Sequence, residues 1–110
     1  MQISVKEQDG VMIVSIEGRL TVGNEGVFKT EMAAISKKAV KIVLDCTKME
    51  YIDSTGLGVV VRFFKEFTAN GGKFVIAALQ AKPKIVFEIT RAYKIFDIFD
   101  SVELAAESFK

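Results

Sequence analysis

Asp53-Ser54-Thr55-Gly56-Leu57-Gly58 is the segment whose residue types and spacing could do chemistry. Three residues able to cap a helix stand in a row before an apolar stripe, and one would satisfy the helix start. Gly56 and Gly58 fall in the first turns of that helix, where each costs on the order of 1 kcal/mol relative to alanine. Bare backbone there implies close packing on a sheet or close approach of another molecule. A helix N-terminus presents free N–H groups and a partial positive charge, so a phosphate on a hydroxyl at this point is tolerated by the fold. Residue types alone leave two readings open, a generous N-cap and a phosphorylation site, and caps are the commoner.

The rest of the chain offers little alternative chemistry. There is no histidine among 110 residues and one cysteine. A zinc site or a Ser-His or Cys-His machine is therefore excluded, and an enzyme would have to work through carboxylates and lysines. Asp45 and Asp53 form no convincing acid–base pair, and Asp45 reads as the cap of the loop after its strand. Cys46 reads as a small buried hydrophobe, because nothing nearby would activate a thiolate. Phe63, Phe64, Phe67, Met12, Met32 and Met49 read as packing. Gly18, Gly23 and Gly26 do not have the spacing of a phosphate-binding fingerprint. Lys82, Lys84, Arg91 and Lys94 read as a solvated helix face, open also to an acidic partner. Fifteen basic residues against 14 acidic ones leave no basic stripe for nucleic acid. No run approaches the roughly 18 apolar residues that span a bilayer, and residues 1–6 do not form a signal peptide. The lone cysteine fits a reducing compartment. The chain is expected to be soluble and cytoplasmic, with no membrane partner, no metal and no cofactor.

The elements that must position residues 53–58 follow from periodicity. Residues 2–8 alternate as a half-buried strand, Asp9-Gly10 turns a hairpin, and 11–17 form a second strand. A loop covers 18–25. Val27, Phe28, Met32 and Ile35 mark a helix over 25–37. Residues 40–44 are a buried strand, 45–53 a loop, and 54–69 a helix with Leu57, Val60, Val61, Phe64 and Phe67 on one stripe. Asn70-Gly71-Gly72 stops it. A strand over 73–78, a helix over 82–91 with Pro83 in its first turn, an edge strand over 96–99 and a helix from Ser101 complete the chain. One α/β domain over residues 1–110 is expected, with a mixed, mostly parallel sheet of four to five strands packed with about four helices.

Residues 45–58 closely resemble the signature of the anti-sigma factor antagonists, stand-alone members of the STAS domains shared with sulfate transporters. That pattern ends a strand with Asp, passes a short loop, and continues as Asp-Ser-Ser/Thr-Gly-hydrophobic-Gly. It is matched here at Asp45, Asp53, Ser54, Thr55, Gly56, Leu57 and Gly58. The flanking hairpin, Gly18 and Gly71-Gly72 agree with it. The resemblance implies a binding protein, not an enzyme. In its dephosphorylated form it binds an anti-sigma factor that is also a serine/threonine kinase, and so releases the sigma factor. The kinase phosphorylates the second hydroxyl residue, Thr55, and a phosphatase acting on phospho-Thr55 restores the active form. Asp53 would help position the acceptor, and Ser54 would cap the helix. The contact surface is expected over residues 18–25, with Arg19, Thr21 and Asn24, and over the helix start from Asp53 to Gly58. Arg19 and Thr21 stand where many members carry acidic residues, which points to a different partner specificity. Two other classes stay open: a STAS-type module of another assembly without phosphoswitching, and a small nucleotide-binding or hydrolytic enzyme. A response-regulator receiver is disfavoured, because Lys82-Pro83 follows the fourth strand and no acidic pair follows the first.

Overall fold

A computed structural model describes all residues 1–110. The chain runs β1 (Gln2–Gln8), β2 (Val11–Leu20), α1 (Glu25–Ser36), β3 (Lys41–Asp45), β4 (Met49–Ile52), α2 (Ser54–Ala69), β5 (Lys73–Ala77), α3 (Ala81–Ile89), a 3-10 turn (Ala92–Lys94), β6 (Ile98–Phe99) and α4 (Val102–Glu107). Strands pair in the order β1-β2-β3-β5-β6, and β4 pairs with β2. Only the β1–β2 hairpin is antiparallel. The mixed, mostly parallel sheet with four helices is the expected architecture.

Two expectations need correction. Residues 49–52 are a strand rather than loop, making six strands, and β2 runs on to Leu20 instead of ending at Glu17. Both differences have one cause. Met12–Ser15 of β2 pair with Ile42–Asp45 of β3, and the further half of β2 is left for β4. The hand-over falls at Gly18, where the register shifts and φ is +95°. A left-handed residue there lets the strand bulge and re-aim, which glycine permits without a Cβ penalty.

The two faces of the sheet are covered unequally. Val14, Ile16, Leu20, Ile42, Leu44, Phe74 and Ile76 face α1, α2 and α3, meeting Phe28, Met32, Ile35, Leu57, Val60, Phe67 and Phe87. On the reverse face Val11, Ile13, Val43, Val75 and Ala77 pack under Ala105 of α4, with Phe99, Val102 and Phe109 beside them. Strands buried on both faces read as continuous apolar runs, as 42–44 and 74–77 do. Cys46, Met12, Met32, Met49, Phe63, Phe64 and Phe67 all pack in or against the first cluster, as expected. The helix stripe is narrower than expected: Leu57, Val60 and Phe67 are buried, Val61 and Phe64 only partly.

Candidate functional site

β2, β4 and α2 converge at one corner of the molecule, and the carboxylate of Asp53 is its hinge. Oδ1 accepts from the Gly56 N–H at 2.8 Å, and Oδ2 accepts from the Val22 N–H at 2.9 Å. The same residue's N–H donates to the Leu20 carbonyl, and its carbonyl accepts from Leu57. One side chain thus caps α2 and ties the loop after β2 to the helix start. The Gly56 and Val22 N–H groups, with lesser help from Thr55, favour the ionised form and hold the Asp53 carboxyl below its ordinary range. Asp53 is extended, at φ −101° and ψ −176°, and is itself the N-cap; Ser54 is already helical. The role assigned to Ser54 by resemblance therefore belongs to Asp53. Its extended backbone leaves the carboxylate free to reach the N–H three residues on, and Ser54 lies one step too far into the helix for that.

The two glycines differ in cause. A Cβ on Gly56 would lie 2.1 Å from the Leu20 carbonyl oxygen and 2.8 Å from its carbon. The first turn of α2 sits directly on the end of β2, so Gly56 answers the close-packing reading. Around Gly58 a Cβ would meet nothing within 4 Å, and the position is exposed.

The loop above is fastened by Asn24. Its Oδ1 accepts from the Thr21 N–H at 2.9 Å, and its Nδ2 donates to the Arg19 carbonyl at 2.8 Å. Glu25 accepts from the Gly23 N–H at 2.6 Å. Arg19 lays its guanidinium over the Tyr51 ring, 5.2 Å from the centroid. All nine residues singled out from the sequence thus meet in this corner. Ser54, Thr55, Gly58 and Arg19 are exposed, Thr21, Asn24 and Asp53 half-buried, and Gly56 and Leu57 buried beneath them. Two residues of the corner were given no part: Val22, 69% exposed, and Tyr51. An apolar residue isolated between polar loop residues was the available signal for Val22. Tyr51 lies inside the motif at residues 45–58 but carries no charge or periodicity to mark it.

The Ser54 and Thr55 hydroxyls make no hydrogen bond within the chain. The nearest carboxylate in sequence, Asp53, is a weak base with both oxygens engaged. The Asp53 carboxylate is therefore poorly suited to deprotonate the hydroxyls beside it. Elsewhere Asp45 accepts from Ser15 Oγ at 2.9 Å and from the Thr47 N–H at 3.0 Å, closing the loop after β3 as expected. Burial, aided by Asp45, pushes the Cys46 thiol far up. Lys82, Lys84, Arg91 and Lys94 are exposed. No helix is long and apolar enough to cross a membrane.

Fold and corner together define a small α/β module that offers an unbonded hydroxyl at a helix start. Comparison with known proteins places it. The STAS domain family model matches residues 2–105. BtrV of Bordetella bronchiseptica, provisionally assigned as an anti-sigma factor antagonist, is 32% identical over 111 residues, covering 100% of this chain and 96% of the relative. The anti-sigma-B factor antagonist of Bacillus subtilis is 28% identical over 89% of this chain and 90% of its own. The crystal structure of a Thermotoga maritima protein, provisionally assigned in the same way, superposes with a TM-score of 0.89 at 30% identity, over 96% of this chain and 92% of that one. The chain belongs to the STAS domain family, among the anti-sigma factor antagonists.

Proposed function

We propose that this antagonist is a binding module, not an enzyme, that in its unphosphorylated form engages an anti-sigma factor serine/threonine kinase and so frees a sigma factor. Phosphorylation of Thr55 switches it off. In the transfer, Thr55 Oγ1 attacks the γ-phosphorus of ATP held by the kinase, the bond to the ADP oxygen breaks, and the hydroxyl proton passes to a base of the kinase. A phosphatase returns the hydroxyl. The observation that carries this reading is the state of the Thr55 hydroxyl: exposed, unbonded, and in the first turn of α2 beside a carboxylate that is held ionised and engaged. The carboxylate beside that hydroxyl is a weak base with both oxygens engaged, which favours a base supplied by the kinase. The helix start offsets part of the added charge, and the fold should survive modification. Arg19, Thr21 and Asn24 share the corner, so a phosphate of nearly two charges would stand on the surface that they present.

The test is affinity capture from the source cell with wild type, Thr55→Ala and Thr55→Glu, followed by mass spectrometry. Wild type and Thr55→Ala should hold an ATP-binding kinase, and Thr55→Glu should lose it. Incubated with that kinase and ATP, wild type should gain one phosphate, mapped to Thr55, and Thr55→Ala none. Equal capture by all three, or phosphate on Ser54 alone, would overturn the assignment.

A further inference from the structure

A concavity between two helices has no part in the corner at Thr55. It is a groove of about 440 Å³ between α1 and α2, closed at one end by the Asn70-Gly71-Gly72 turn. Its origin is compositional. Helix α1 buries Phe28, Met32 and Ile35 in the core, and turns Lys29, Ala33 and Ser36 toward the groove. Two of those three are small, so the wall recedes. On the other side Val59, Arg62 and Phe63 of α2 form the facing wall. Phe63 stacks on Phe67 with centroids 5.2 Å apart and planes 17° from parallel, and both rings line the groove. The Phe67 ring is itself held against the turn, where a Cβ on Gly72 would lie 2.5 Å from it. The floor is therefore a fixed aromatic surface.

The charge at this groove is asymmetric. Lys29 comes from one wall and Arg62 from the other, against the single acid Glu66. None of the three is in an ion pair, since the one salt bridge of the chain joins Lys110 to Glu107. From Lys29 to Ser36 the groove extends about 10 Å along the helix axis. That length and volume suit a small ligand, whereas a stable protein partner needs on the order of 1,000 Å² of interface. We propose that the α1–α2 groove binds a small amphiphilic carboxylate, with its chain on Phe63 and Phe67 and its carboxylate between Lys29 and Arg62.

Decanoate, below its micelle concentration, is the probe, with decylammonium as the comparator of opposite charge. Titrations of the intact chain would be followed by amide NMR and calorimetry. Decanoate should saturate and shift the amides of Lys29, Ala33, Val59, Arg62 and Phe63, and decylammonium should bind about tenfold more weakly. Arg62→Glu, at an exposed position, should lower decanoate affinity about tenfold and narrow the preference between the two probes. Ala33→Leu, also at an exposed position, should fill the groove and weaken both probes, with the far-ultraviolet spectrum unchanged. Equal affinity for the two probes, shifts outside the groove, no saturation, or ligand-free shifts at these amides that depend on protein concentration would each overturn the proposal.

Discussion

Asp53 joins two demands in a single side chain. It caps α2 through Gly56 and anchors the preceding loop through Val22. Replacement by alanine removes a cap and leaves the Val22 N–H without its partner. A loss of about 1–3 kcal/mol in urea unfolding is expected. The ionised form is the one these N–H groups favour, so the folded carboxyl titrates below its ordinary value of 3.8. The stability it confers is complete above that value and is lost as pH falls through the lowered folded value. In acid titrations of stability, the gap between wild type and Asp53→Asn should be constant near neutrality and close below about pH 4. A gap that persists at the acid end would mean that geometry, not charge, is what Asp53 supplies. Two residues further on, the Thr55 hydroxyl has no bonded partner in the chain, so Thr55→Ala should unfold within about 0.5 kcal/mol of wild type. Any loss of partner capture on changing Thr55 can then be read as an effect on the surface rather than on the fold.

The first turn of helix α2 sits on the end of β2 through Gly56. The Cβ of a Gly56→Ala variant would press on the Leu20 carbonyl, which is backbone and cannot swing away. Destabilisation on the order of 2–3 kcal/mol is expected, with the helix propensity gained by alanine offsetting only part of the strain. Gly58→Ala, two residues along in open space, should instead raise stability by up to about 1 kcal/mol. Opposite signs in denaturant midpoints would confirm that the two glycines exist for different reasons; equal signs would contradict it. From the sequence they were indistinguishable, because the cause lies in Leu20, more than thirty residues away. The same distance hid β4. Met49–Ile52 is four residues long, and its pairing depends on β2 outrunning β3 past Gly18. Long periodic segments such as α2 and short apolar runs such as 42–44 carry their own signal, as does the Asp-Ser-Thr-Gly junction at 53–56. Segments created by a neighbour's register do not.

For the whole molecule, the unequal faces of the sheet set how it opens. The helical face holds most of the core, and the reverse face is covered only by α4 and its flanking residues. Cys46 reports on the first of these. It sits fully buried in the loop between β3 and β4, its N–H bonded to the Ala77 carbonyl and its thiol directed at the Leu44 carbonyl at 3.7 Å. Burial also keeps the thiol protonated, and the thiolate is the reactive form. Fraying of the short α4 would uncover Val43 and Val75 on the reverse face but leave Cys46 covered, since Cys46 belongs to the cluster under α1, α2 and α3. A thiol reagent should therefore label the native chain only through opening of the main core. Its rate should fall as stabilising changes such as Gly58→Ala are introduced and rise with Gly56→Ala, in proportion to the unfolded population. Labelling measured against urea should carry the same slope as global unfolding followed by circular dichroism. A distinctly shallower slope would show that the β3–β4 loop opens on its own. Because that loop leads directly into β4 and Asp53, local opening there would also free the segment that presents Thr55.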